Sequence, residues 1–289
     1  NNSNSFFWLS KETSIIINNW FMMYFLSVVL IGTIYPIFLE VLSSQKISVG
    51  PPFYHKLIIP FLIPFLMAMA IGPKLKWIKS NIVDKFYLVL FFAISIVLSF
   101  LIVKKFSTNL LINTILVSSA LYLFFITLRD FFIRKYSNIS QNIAHFGFSL
   151  LILSILLNNL FSSEIITNLK VGETFTSSKT KIVFKNINQK QEKNYKSIIA
   201  NFSIENINET IEDLSPELRI YNQPNIVTSE ADIKTTLLSD KFIVINIVQN
   251  QDYFNVRYQV KPFMLWIWIS VILISFGGLL SFFKREHEK

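Results

Sequence analysis

The chain has no cysteine, only 7 glycines and 3 histidines in 289 residues, and 16% charged residues. Without cysteine there is no disulfide framework, thiolate metal site, cysteine nucleophile or thioether-linked cofactor on this chain. The scarcity of glycine argues against a glycine-rich phosphate cradle and a collagen-like chain, and no HExxH, GxSxG or CxxC motif occurs. His55, His145 and His287 are too few for an all-histidine metal site. The acids near apolar segments are few as well. Glu40, Asp84 and Asp130 sit at segment ends, so a relay of buried carboxylates is missing, which argues against a pump or an ion-coupled carrier.

What fills the chain instead is apolar. Hydrophobic residues make up 52%, Phe alone accounts for 29, and the mean hydropathy is +0.47. Such a composition fits neither a disordered chain nor an ordinary soluble domain. A membrane-crossing helix needs ~20 largely apolar residues, and six segments qualify: about Ile15–Leu39, Leu57–Ile71, Phe86–Val103, Asn109–Leu128, Ile143–Phe161 and Phe263–Phe283. The second is interrupted by Pro60 and Pro64 and followed by Pro73, which neighbouring helices can accommodate. The expected fold is therefore a polytopic α-helical membrane protein of about six transmembrane helices. A β-rich extracytoplasmic domain of ~100 residues is expected between the last two spans. The expected divisions are 1–161 for five helices, 162–262 for the outer domain, and 263–289 for the last helix with its basic tail.

Orientation follows from lysine and arginine. The N-terminus, Lys74–Lys85, Arg129–Asn142 and Lys284–Lys289 together carry eleven, against four (Lys46, Lys56, Lys104, Lys105) in the opposite short loops. Both termini are thus expected in the cytoplasm and the long insert outside. Ser162–Lys261 holds twelve basic and twelve acidic residues, so the overall +9 belongs to the membrane flanks. It is a topology signal and gives no reason to expect nucleic acid as a partner. Within the insert, Lys181–Asn186, Ser197–Ile204, Lys241–Val248 and Tyr253–Val260 alternate apolar and polar residues and read as strands. The Asn-rich stretches Asn186–Asn194 and Asn206–Asn208 read as loops. The opening run Asn1–Ser5 has no Met and no cleavable signal pattern, so the chain is expected to be a fragment or the continuation of a longer polypeptide.

His145 is the principal candidate for chemistry. It opens the fifth span in Asn142–Ile143–Ala144–His145–Phe146–Gly147, and an ionisable side chain within a membrane segment is costly enough to suggest function. A neutral imidazole is a common axial ligand of haem iron, and Gly147 would leave room for a flat macrocycle against the helix. The alternative is an interfacial His bonded to a neighbouring helix or to headgroups. His55 follows Gly50–Pro51–Pro52 in what reads as a rigid outer loop, and His287 lies in the solvated tail. Glu217, Arg219 and Tyr221 alternate in Pro216–Tyr221, so on an extended segment they share a face. They can form a structural ion pair or offer Arg219 to a carboxylate. Trp266 and Trp268 read as an interfacial belt, and Gly277–Gly278 as a site of close helix approach.

Several of these segments together resemble the C-terminal half of the CcmF family of cytochrome c haem-lyase subunits. They are Ser10–Lys11–Glu12 with Asn18–Asn19, Gly32–Pro36, Ile47–Pro52, Ala144–Gly147, Pro216–Tyr221, Lys261–Phe263 with Trp266–Trp268, and Gly277–Gly278 before the basic tail. The resemblance implies covalent attachment of haem to apocytochrome c outside the membrane by thioether formation. It also implies a membrane-embedded haem b held by two His from separate spans, of which His145 matches the second, with Gly147 beside it. Glu217, Arg219 and Tyr221 would help dock apocytochrome c or the thioreductant subunit. The family's tryptophan-rich WWD segment, which receives haem from a haem-delivering chaperone, has no counterpart in this sequence, nor have its two flanking His. The resemblance therefore implies a missing N-terminal half, omitted or carried on a separate chain, and a bacterial inner membrane or, if organelle-encoded, a mitochondrial inner membrane. Two other readings stand beside it. One is a non-catalytic polytopic scaffold or receptor with a partner-binding outer domain, and the other is a small-solute transporter.

Overall fold

A computed structural model of the chain describes residues 10–43, 46–77, 85–106, 109–133, 138–177, 180–206, 211–248 and 252–287. Among the residues invoked above, Asn1–Ser5, Lys79, Asp84, Arg134, Lys135, residues 207–208 and Lys289 lie outside them. The chain divides into two compact units, one formed by Asn1–Leu156 with Ile269–Lys289 and the other by Leu157–Trp268.

The helical elements are α1 (Lys11–Ser43), α2 (Pro51–Ile71) continued by a 3₁₀ turn (Gly72–Lys74), α3 (Lys85–Phe106), α4 (Leu110–Ile133), α5 (Ile139–Phe161) and α6 (Met264–His287). All six contain stretches long and apolar enough to cross a membrane. They overrun the expected spans at most ends because hydropathy marks only the hydrocarbon-crossing part, whereas caps and polar turns lie beyond it. At the start of α1, the Ser10 hydroxyl accepts the Thr13 amide at 3.2 Å, as an N-cap residue does. The reading of Gly50–Pro52 as an outer loop is corrected. Gly50 is the extended N-cap and Pro51–Pro52 form the first turn of α2, where a missing N–H costs nothing. His55 consequently sits on a helix, exposed to its surroundings.

Helix α4 is the hub of this unit. Over half of its apolar stretch is buried, compared with 11% for α1, and Leu116, Val117, Ala120, Leu123 and Ile126 are almost inaccessible. Hydroxyls join the helices where apolar packing leaves small gaps. Thr127 of α4 and Ser149 of α5 are bonded at 2.7 Å. Helices α5 and α6 meet through glycine, because a Cβ at Gly277 would fall 2.7 Å from the Ala144 amide nitrogen.

The second unit is an antiparallel β-sandwich. One sheet has the order β1 (Ser163–Leu169), β10 (Phe254–Pro262), β9 (Ser239–Ile247), β8 (Asp232–Thr235). The other has the order β2 (Thr174–Thr176), β3 (Thr180–Gln191), β4 (Tyr195–Asn206), β6 (Glu217–Tyr221), β7 (Val227–Glu230), with β5 (Glu212–Leu214) also paired to β4. Alternate residues face inward. Ile182, Phe184, Ala200, Phe202 and Ile204 from one sheet meet Ile243, Ile245, Val256 and Tyr258 from the other, nearly all fully buried. Phe184 and Phe202 are partners in register and stack at 4.4 Å. Asn186–Gln191, expected as loop, continues β3. The Asn186 and Asn201 side chains bond at 2.6 Å across the ladder, so the polar run is the outer face of a long strand, with the turn confined to residues 192–194.

Candidate functional site

His145 lies two turns into α5, ~9 Å along the axis from its first residue. Its imidazole is half-buried, and no hydrogen bond engages it among the described residues. It borders two spaces. One is a cleft of about 190 Å³ between α1, the end of α2 and α5, lined on its polar side by Lys11, Asn18 and Gln141 and on its apolar side by Ile15 and Met69. The other is a void of about 10 Å³ shared with Thr127, Asp130 and Asn142, close to the space one water occupies. The imidazole thus lines both a water-sized space and a larger cleft.

Beneath His145 is an ionic cluster that the sequence reading treated only as flanking charges. Lys74, in the 3₁₀ turn after α2, donates to Asp130 Oδ2 at 2.5 Å, and the side chains are 2% and 12% exposed. The Asn142 side-chain amide donates to the Asp130 carbonyl at 3.1 Å, holding α5 to α4 one turn before His145. Arg129 lies over the Tyr87 ring at 3.7 Å. Its Nη1 and Asp130 Oδ1 are 4.0 Å apart, and both are buried without a hydrogen bond among the described residues. A buried carboxylate is tolerated only when paired, and Lys74 supplies that partner. The two residues are 56 positions apart, so no local pattern joined them. The available signal was an acid near the end of one apolar segment and a lysine just after another.

The space beside Gly147 is already filled. A Cβ there would lie 3.0 Å from Leu273 Cβ, Ile274 Cγ1 and the Ile274 nitrogen. The expectation that Gly147 clears a surface for a macrocycle is therefore corrected: α6 occupies that surface, and the glycine serves the α5–α6 packing. The face of α5 available to a ligand is the one carrying Gln141 and His145.

A haem can be tested against these residues. An imidazole free of hydrogen bonds, on a cleft with both polar and apolar walls, is a suitable iron ligand. The cleft is smaller than the ~300–1,000 Å³ of an enclosing ligand site. The residues present would fit one imidazole ligand and one wall, and the cleft does not by itself enclose a macrocycle.

In the β-sandwich, Glu217, Arg219 and Tyr221 share one face of β6, as expected, while Leu218 enters the core. Arg219 donates to Glu217 at 3.0 Å, approaches Glu230 at 3.9 Å and lies over the Tyr195 ring at 5.3 Å. Tyr195 and Tyr221 are cross-strand partners with ring centroids 5.2 Å apart. The guanidinium holds the Glu217 carboxyl below the usual carboxylate range, and the same pairing raises Arg219 further above its ordinary value. The cluster is a half-exposed patch of charge and aromatic rings on the face of β6 and its neighbours.

Comparison with known proteins finds similarity along both units. The family profile for the CcmF C-terminal β-sandwich matches residues 160–262. The cytochrome c-type biogenesis protein CcmF of Pseudomonas fluorescens is 27% identical over 96% of this chain and 44% of its own length. The corresponding CcmF of Escherichia coli is 24% identical over 97% and 45%, and CycK of Bradyrhizobium diazoefficiens is 26% identical over 96% and 45%. The solved structure of the cytochrome c haem lyase CcmF shares the fold, with a TM-score of 0.72 at 19% identity, over 94% of this chain and 46% of that one. The chain spans a little under half the length of these relatives and matches their C-terminal half. The long apolar helices and the match to bacterial relatives support a multi-pass membrane protein.

Proposed function

We propose that this chain is the C-terminal half of a cytochrome c haem lyase of the bacterial inner membrane and that His145 supplies one axial ligand to a membrane b-type haem. The observation that carries the reading is the imidazole at the head of α5, free of hydrogen bonds and facing a cleft with polar and apolar walls. The relatives' role in cytochrome c biogenesis supports it. A haem bound there would supply one-electron chemistry. The second ligand and the remaining walls would come from the N-terminal half.

The residues of this chain then have separable tasks. Lys74 holds the Asp130 side chain in place through its hydrogen bond, and Asn142 pins the start of α5 to the end of α4. Asp130, across the small void from His145, would fix the ring orientation through a hydrogen-bonded bridge, as carboxylates behind ligating histidines do. Lys11, Asn18 and Gln141, which line the same cleft, would hold the carboxylate groups of a haem. On the outer domain, the patch of Glu217, Arg219 and Tyr221 would meet apocytochrome c or the thioreductant, and haem would arrive from a chaperone through the N-terminal half. Attachment itself would depend mainly on holding client thiols against the haem vinyl groups.

The test is spectroscopic. The chain co-purified with its N-terminal partner should show a b-type absorbance that His145→Ala abolishes and His55→Ala leaves intact. A spectrum unchanged by His145→Ala removes the ligand assignment, and no haem in either form favours a scaffold with an outer partner-binding domain.

A further inference from the structure

The hairpin between β8 and β9 has an exposed apolar tip. Leu237 and Leu238 are 71% and 68% accessible, in a turn where sequence patterns normally place polar residues. The turn is not loose. The Thr236 amide donates to the Ser239 carbonyl at 2.9 Å, the Thr236 hydroxyl donates to the same carbonyl at 2.7 Å, and the Ser239 amide donates to that hydroxyl at 3.1 Å. Two stiff, adjacent leucines are thus held outward.

Their place in the fold indicates what they meet. The Phe263 amide donates to the Leu238 carbonyl at 2.8 Å, and the Trp266 indole N–H donates to the Leu237 carbonyl at 2.9 Å. Both donors are at the β10–α6 junction, where Phe263 takes a positive φ of 61° and α6 begins at Met264. The Phe263 ring in turn meets that of Phe161, the last residue of α5, at 6.3 Å. Asn158 donates to the Pro262 carbonyl at 2.5 Å. The end of one membrane-type helix, the start of another and the leucine turn therefore lie at a single level, ringed by Phe161, Phe263 and Trp266. Aromatic residues at helix ends mark the interfacial layer of a bilayer. A polar turn would suffice if the hairpin stood in water.

We propose that the Leu237–Leu238 turn inserts into the outer interfacial layer of the membrane and anchors the β8–β9 hairpin to lipid beside the start of α6. The occupant is the headgroup–acyl boundary, reached by two leucine side chains whose backbone carbonyls are already held by Phe263 and Trp266. The inference rests on α6 crossing the membrane and is independent of the haem assignment.

The absence of cysteine makes the test direct. Leu237→Cys, Leu238→Cys and, as a solvent control, Asn222→Cys in the β6–β7 turn are each nitroxide-labelled in the full chain. The labelled chains are then placed in phosphatidylcholine–phosphatidylglycerol nanodiscs, and accessibility to oxygen and to a water-soluble nickel chelate is compared. Lipid insertion predicts a several-fold higher ratio of oxygen to nickel accessibility at the two leucine positions than at the control. Equal ratios place the turn in water and overturn the proposal. Protection from both agents overturns it as well, by placing a protein partner or a second copy over the turn.

Discussion

The two units bury their apolar residues by opposite rules. In the β-sandwich, Phe184, Phe202, Ile204, Ile243 and Ile245 are wholly inaccessible, and the outer faces carry Asn186, Asn201, Lys185 and Asp213, paired with one another. In the helical unit, Ile16, Met23, Ile37, Phe86 and Phe100 face outward with 42–80% of their surface accessible, while Lys74, Thr127, Asp130 and Ser149 are buried. A water-facing domain hides what water rejects. A lipid-facing one can leave apolar groups outside and uses its interior for polar contacts that hydrocarbon cannot satisfy.

That contrast can be tested by removing equivalent groups from the two units. The largest effect is expected for Phe202→Ala, which empties a fully buried site and should cost about 3–5 kcal/mol. Protease resistance of the 163–262 segment against denaturant, in the full chain, is the measurement. Phe100→Ala on α3 removes an outward-facing ring whose contact within the chain is the Lys104 ammonium at 6.0 Å, and should change the resistance of the helical unit far less than Phe202→Ala changes that of the sandwich. A comparable loss at both sites would mean that Phe100 is covered by protein.

Next is the buried pair. Lys74→Met leaves Asp130 without its partner and should destabilise the helical unit by about 3–5 kcal/mol, seen as a lower thermal midpoint in detergent. The double variant Lys74→Met/Asp130→Leu should recover most of the loss, because an apolar pair of similar volume suits the same space. If the double variant is as unstable as the single one, the pair's role is wider than mutual neutralisation.

The smallest effect belongs to the exposed-side counterpart. The Glu217 carboxyl is held below its ordinary value by Arg219. Its contribution is therefore complete above the unfolded-state value near 4.5 and is lost as the pH falls through the lower folded value. Glu217→Gln should lower the β-sandwich midpoint slightly at neutral pH, and the gap should close on acidification. A gap that widens in acid would reverse the sign of the coupling.

Much of this arrangement could be read from the residues in order. Hydropathy located the six helices, and strict alternation located β4, β9 and β10. It failed where a solvent face alone spoke. Asn186–Gln191 has no apolar alternation strong enough to announce a strand, and only pairing with β4 makes it one. It failed again at Pro51–Pro52, where the same two residues that close a loop also open a helix. At the candidate site, the cost of an ionisable residue in lipid singled out His145. Its surroundings were not legible, since Lys74, Asp130 and Asn142 meet only after three elements pack. Gly147 was noticed for its smallness, but smallness alone does not say whether a neighbour or a ligand takes up the space.

One feature of the sandwich bears on how such a chain can change over time. Its first and last strands, β1 and β10, are direct neighbours in full register, with Ser163 opposite Val260 and Leu169 opposite Phe254. The excursion therefore departs and returns through one doorway. The exposed turns hung beyond that doorway can be lengthened or trimmed, while the threshold built by Ser163 and Val260 keeps the same width.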